Sequence, residues 1–556
     1  MRRLSACLTA VVALAGLSAC DAADASAPPA AFDPSAVDYD ALTRLDYETE
    51  VRPLLAARNV LAPTATTAPG NPADYALGTV LMAGPSGFVV PFDAAGSLIT
   101  RFAADLPDSA AIPFPNLRRL DADERRFVSR WIEAGARATP GGAVPFADAQ
   151  HLLFVCVQGE NYVDVLDEET MRTVRRVRFD DLGFPSAPYG PHHVAFEPGG
   201  SAWYVTLISG AGTSGGAVLK LSTDLSLDPA SPAYVLGSAR TTTPGMIALD
   251  PSSNRMYVGR STLSAATTSG FVVVDRTTMA TTEVATPFNV PHAMAVTPDG
   301  RFVLTASLTG GQVAVYDPLT EDLAIQPVPG GPHELIHFAV LGAHHGGRTA
   351  GTAAGADHGA MPGMDHSAMP GMDHGTTGQT GRSAEALHAY EATLTSKSTN
   401  TLLFFSLSAA GALSLTATAP AGNGPYHAHV AHDGRTMLVP DQRGDTVTIL
   451  DAVTHATVRT VAGPGGPLSQ PHSPAPGHDG TRFFVTSSNL NGRWTPAFAW
   501  LGPASAAGVR APLPAARAGN VTAFSMDGTV LQTVQLGAYP SGMEPFEVGV
   551  GGHESM

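Results

Sequence analysis

Pro291-His-Ala-Met-Ala-Val-Thr-Pro-Asp-Gly300 and Pro425-Tyr-His-Ala-His-Val-Ala-His-Asp-Gly434 are two copies of one pattern: a proline, a short apolar strand, then an Asp-Gly turn. Further copies begin at Pro191, Pro244, Pro332 and Pro471. A seventh first strand begins at Pro540, near the C-terminus, with nothing after it to complete a sheet. Its partners are the orphan strands at 151–182, where Val163 to Thr170 reads as a strand and a turn. Short alternating strands recurring every roughly forty to fifty residues mark a β-propeller. Pairing the two ends removes the exposed sheet edges. Seven first strands therefore predict a mainly β fold, a seven-bladed propeller over 151–550.

The residue after each leading proline is His192, Gly245, His292, His333, Tyr426, His472 or Ser541, and His193, His427 and His429 lie close by. The start of a first strand borders the central channel, so imidazoles from different blades converge on one axis. Converging neutral imidazoles form a credible transition-metal site. The alternative is that each Pro-His histidine only bonds a loop carbonyl. His432 and His478 sit in the Asp-Gly turns and read as exposed turn residues; His151, His455 and His553 follow no pattern.

The repeat resembles the YVTN/lactonase-like propellers and the related propeller of nitrous-oxide reductase. The second resemblance implies a copper centre held by His192, His193, His292, His333, His427, His429 and His472. It is incomplete: that enzyme also needs a C-terminal cupredoxin domain with a cysteine pair, and no such pair follows here. A lactonase-like reading would use acidic residues at the channel, with Glu334 and Glu544 as candidates.

Inside the fourth repeat lies a tandem octapeptide, Met361-Pro-Gly-Met-Asp-His-Ser-Ala368 and Met369-Pro-Gly-Met-Asp-His-Gly-Thr376, with His358 extending its spacing. Thioethers favour Cu(I), and imidazole with carboxylate suits Cu(II). Met361, Met364, His366, Met369, Met372, His374 and His358 are thus candidate copper ligands, on backbone too rich in Gly and Pro to fold alone. The stretch resembles the Met/His-rich segments of bacterial copper-resistance proteins. The segment 341–382 is expected to replace a turn and hang disordered from one face.

Residues 38–140 read as helices and loops. Tyr47 to Leu55 begins an amphipathic helix, and Leu120 to Gly135 closes the region with Phe127, Val128, Trp131 and Ile132 on one face. With Val90 to Leu98 between them, the order resembles fused cytochrome c-type domains. The stretch matching their haem-attachment motif, Val60 to Thr64, has neither cysteine nor histidine. The resemblance thus implies a small, degenerate, haem-less α-helical domain, with no covalent haem. A cytochrome-like domain before a propeller also resembles cytochrome cd1 nitrite reductase, without its c-haem.

Arg2 and Arg3 precede an apolar run from Leu8 to Leu17, too short for a span and typical of a secretion signal. Leu17-Ser18-Ala19-Cys20 resembles the bacterial lipobox, which implies a signal peptide at 1–19, a lipidated Cys20 and a flexible tether at 20–37. Of three cysteines only Cys156 would remain in the body of the protein, within an apolar strand, as a buried small hydrophobe. The formal charge of −17 argues against a nucleic-acid partner and is compatible with attracting cations.

These readings converge on a lipid-anchored protein of the cell envelope, facing the periplasm or the exterior, that binds copper ions. It would either handle the metal or use it as an oxidoreductase. A scaffold for an unspecified protein partner and a lactonase- or nitrite-reductase-like enzyme are the other classes. Gly210 to Gly215 matches G-x-G-x-x-G, but strands flank it on both sides, so it reads as a hairpin loop.

Overall fold

The computed structural model describes residues 32–61, 70–103, 112, 114–184, 190–208, 216–261, 269–343, 390–462, 466–498, 518–549 and 551–552. Cys20 and the Met/His repeat from His358 to His374 lie outside these residues.

Seven antiparallel sheets form the propeller, six of them from four consecutive strands and the seventh from strands of both chain ends. Their innermost strands are Pro191–Phe196 (blade I), Pro244–Leu249 (II), Pro291–Val296 (III), Leu335–Ala343 (IV), His429–Val430 (V), Pro471–Pro476 (VI) and Pro540–Glu547 (VII). Blade VII joins the two ends of the array. Pro540–Glu547 pairs with His151–Val157, followed by Tyr162–Asp167 and Arg172–Arg178. That closure is the one the unfinished seventh repeat requires.

The strands alternate side chains between neighbouring blades, and the inter-blade layers are apolar. Phe154, Phe196, Trp203 and Phe546 pack between blades VII and I. Met246, Tyr257, Phe271, Met294 and Tyr316 do so between II and III. Cys156 is completely buried in the layer between VII and I, and burial pushes its thiol pKa well up, so it is an inert hydrophobe. The two strands flanking Gly210 to Gly215, Ala202–Leu207 and Ala217–Ser222, pair antiparallel as the hairpin reading requires.

The N-terminal region is helical. Ala122–Glu133 is capped by a reciprocal box in which the Asp121 carboxylate accepts from the Asp123 and Glu124 N–H groups, and Glu124 accepts from the Asp121 N–H. Phe127, Val128, Trp131 and Ile132 are buried, as the helical spacing predicts. The first helix differs from expectation: Tyr47–Val51 is a π-helical turn that passes into an α-helix at Arg52–Ala57. Pro53, lacking an N–H, sits at that junction, where it costs least.

This domain docks on the outer strands of blade VII. The Arg176 guanidinium, buried, bonds Asp164 at 2.7 Å within the blade and reaches the Gly96 carbonyl at 3.0 Å in the helical domain. Phe102 meets Phe498, which follows the second strand of blade VI, edge to face at 5.6 Å. Among the described residues, no helix is long and apolar enough to cross a membrane.

Candidate metal centre in the propeller channel

Five inner strands share one irregularity. Pairing with the second strand slips between Pro191 and Val194, Pro244 and Ile247, Pro291 and Ala293, Leu335 and Phe338, and Pro471 and Pro474. Such a bulge presents successive residues where alternation would allow one. Immediately before four of the leading prolines, Thr243, Val290, Gln470 and Tyr539 have φ of 39°, 50°, 52° and 54°. Left-handed backbone at non-glycine residues, two of them β-branched, costs about 1–3 kcal/mol each and clusters at functional sites.

Counting the paired residue at each strand start as position 1, histidines occupy three levels. Position 2 carries His192, His292 and His472; position 3 carries His193, His337 and His427; position 5 carries His429. Position 5 is otherwise Ala195, Ala248, Ala295, Ala339, Ala475 and, in blade VII, Glu544. The alanines leave room for a cavity of about 80 Å³ that Ala195, Ala248 and Ala295 line together with His193, His337 and Glu544.

The imidazoles meet on the axis. Ring centroids are 5.3 Å apart for His192–His292, 6.4 Å for His192–His427, 4.8 Å for His427–His472 and 4.9 Å for the stacked pair His337–His427. All seven rings are buried. Burial disfavours the charged form, so their pKa values fall: to about 3 for His193, to about 4 for His292 and His429, and well below the ordinary value for the others. The neighbouring imidazoles push His192, His193, His337, His427 and His472 further the same way. Glu544 stands 3.5 Å from His193 Nε2 and 3.6 Å from His429 Nε2.

Hydrogen bonds divide the neutral rings into two kinds, with tautomers assigned from partners. His292 Nδ1 donates to the Arg260 carbonyl at 3.0 Å, and His192 Nδ1 to Gln158 Oε1 at 3.3 Å, so each keeps a lone pair on Nε2. His193 Nδ1 instead accepts from the Ile247 N–H, and His337 Nδ1 from the Ala428 N–H. Those two carry their hydrogen on Nε2, which in His193 faces Glu544.

Four rings leave buried nitrogens without a hydrogen-bonding partner in the protein: Nε2 of His192, His427 and His429, and both nitrogens of His472. An unsatisfied buried polar atom costs about 1–3 kcal/mol. One nitrogen of each neutral ring carries hydrogen, so these five atoms offer at most four lone pairs, which cations in the channel would take. Among the described residues, no three channel ligand atoms lie within 4.8 Å of one another. Three imidazoles could therefore reach one ion only by ring rotation, whereas several ions would suit the spread.

Two readings need correction. His333 does not enter the ring. Blade IV starts at Leu335, three residues beyond its proline, so His333 falls in the preceding loop, where Nδ1 bonds Ser396 Oγ at 2.8 Å and Nε2 the Pro329 carbonyl at 3.0 Å. His337 takes the channel place instead; the signal was present as a second histidine four residues on. Glu334 is part-exposed and pairs with Arg443 at 3.1 Å, whereas Glu544 is buried beside His193 and His429. His478, read as an exposed turn residue, is half-buried against Glu168. His455 stacks on Phe404 at 3.6 Å.

No family model matches the chain, and no curated protein matches it. Solved structures similar to it include a periplasmic gluconolactonase of Pseudomonas aeruginosa, 17% identical over 72% of this chain and 99% of that one, with a TM-score of 0.48. A putative 6-phosphogluconolactonase from Bacteroides fragilis is 12% identical over 72% and 99%, with a TM-score of 0.44. The dihydro-heme d1 dehydrogenase NirN is 12% identical over 84% and 95%, with a TM-score of 0.38. The chain is a seven-bladed β-propeller with an N-terminal helical domain.

Proposed function

We propose that this propeller binds copper in its channel and is held at the cell envelope by a lipid on Cys20. The observation that carries the reading is the set of five buried imidazole nitrogens lacking partners. Histidines kept neutral by burial are poised to give lone pairs to a transition metal at any pH above their depressed pKa values. His192, His292, His427, His429 and His472 would hold the metal. His193 and His337, with hydrogen on Nε2, would flank Glu544, which supplies a carboxylate beside the ring.

Bound there, copper would offer Lewis-acid or one-electron chemistry. The residues around it fix what such chemistry could use. The cavity beside His193, His337 and Glu544 admits only a small molecule, and the Glu544 carboxylate faces the N–H of His193 at 3.5 Å. Where the metal is carried rather than used, the same site is a store. The Met/His repeat between residues 358 and 374 would capture copper by loose thioether and imidazole ligation and pass it inward.

The test is copper loading of the full chain, extensive dialysis and elemental analysis, beside a His427→Ala/His472→Ala variant. The reading expects copper retained in stoichiometric amount by the wild type and at least tenfold less of this tightly held fraction in the variant. Equal retention by both would discard it.

A further inference from the structure

We propose a second metal site, separate from the channel, at the seam where the ring closes: His151, Glu169 and His478 bind a divalent transition ion of the zinc type. His151 opens the second strand of blade VII, and Glu168 and Glu169 form the turn that follows Asp167. His478 lies in the first turn of blade VI. Among the described residues this is the set of three ligand atoms found within 4.8 Å of one another.

The hydrogen bonds fix which atoms face which. The Glu168 carboxylate is buried and can only accept; it takes the His478 N–H at 3.1 Å and His478 Nδ1–H at 2.8 Å. In the neutral ring the lone pair therefore sits on Nε2. That lone pair faces Glu169 Oε1 at 3.4 Å, and His151 Nδ1 stands 3.8 Å from the same oxygen. Arg482 bonds the other oxygen of Glu169 at 2.8 Å and holds Oε1 toward the rings. The two imidazoles are stacked, centroids 3.5 Å apart and 5° from parallel. The His478 lone pair and the Glu169 carboxylate are both acceptors, and their approach at 3.4 Å calls for a cation between them.

The surroundings have the form of a metal site's outer layer. A carboxylate bonded to the far nitrogen of a ligating histidine fixes its tautomer and raises its basicity. Glu168 fixes the tautomer of His478 in this way. Two imidazoles and one carboxylate suit Zn²⁺, with a remaining position open where Glu169 is exposed. Glu168 and Glu169 outweigh the one arginine, Arg482, by one charge, which also favours a cation. An ion here would join blade VI to the blade built from both chain ends, at the point where the ring depends on closure. A proton is the competing occupant, forming an imidazolium between the carboxylates.

Zinc content at pH 8, above the ordinary histidine range, separates the two. The full chain is stripped with chelator, dialysed against limiting Zn²⁺ and assayed, beside His478→Gln and Glu169→Gln. Glu169 is half-exposed, so its variant folds even if His478→Gln does not, and circular dichroism in chelator verifies both. We expect one equivalent more zinc in the wild type than in either variant, and a zinc-dependent rise in Tm of several degrees only in the wild type. The same increment should survive in His427→Ala/His472→Ala, which makes this result independent of the channel reading. Equal zinc in wild type and Glu169→Gln, or a Tm rise shared by both, overturns the site.

Discussion

Two histidine clusters sit in one propeller and differ in what surrounds them. In the channel, seven rings are buried with one carboxylate among them, and five of their nitrogens have no partner in the protein. At the seam, two rings stand half-exposed beside two carboxylates and an arginine, and the hydrogen bonds of His478 are made. In the channel the unmet nitrogens are shut away from solvent, whereas at the seam part-exposure lets water meet His478 Nε2 and Glu169 in part when no ion is bound. Burial without partners is therefore the sharper sign of a function than the mere nearness of histidines.

The largest effect that would sharpen this contrast is on the stability of the metal-free protein in acid. His193, His292 and His429 have folded pKa values of about 3, 4 and 4, below the ordinary 6.5. Between those limits the unfolded chain binds protons that the folded chain refuses, so stability rises with pH. It should be complete above pH 6.5 and be lost as pH falls toward 4, at about 1.4 kcal/mol per pH unit for each histidine. Denaturant melts of the stripped protein from pH 7.5 to 4.5 measure the slope. A flat profile would mean that the rings are hydrated, and the contrast with the seam would collapse.

The next effect lies within the channel. His192→Gln removes a lone pair presented by a fixed tautomer, and should lower copper affinity at least tenfold in competition with a chelator. His193→Gln removes a ring whose Nε2 carries hydrogen, and should lower it less. The reverse order would show that the two tautomers exchange when metal binds.

Smaller is Gly542→Ala. A methyl there would come within 2.3 Å of the His192 carbonyl, so the backbone carrying the ligand must shift. We expect a loss of about 1–3 kcal/mol in stability and a weaker channel site, with zinc at the seam unaffected. Smallest is His333→Gln, which breaks loop hydrogen bonds worth about 1 kcal/mol. It should leave copper content unchanged, since His333 stands outside the ring.

The propeller was legible because its repeat is local: a proline, an alternating strand and a turn recur, and an unfinished copy at Pro540 announces closure with His151–Val157. The channel was legible wherever the leading proline marks the strand start. It failed in blade IV, where the paired strand begins at Leu335 and register alone exchanges His333 for His337. The seam was invisible to any local reading, because Glu168 and His478 are 310 residues apart and meet only when the ring closes. The tautomers, too, depend on partners such as Gln158 and Ile247 that other strands supply.

The most direct test of the channel claim removes the competing ligands. A chain lacking residues 344–382, which leaves the inner strand Leu335–Ala343 whole, is loaded with copper, dialysed and assayed beside the full chain. The account predicts that stoichiometric copper stays with the shortened protein, held by the channel imidazoles. Loss of nearly all copper with the segment would contradict it and leave the channel histidines without a metal.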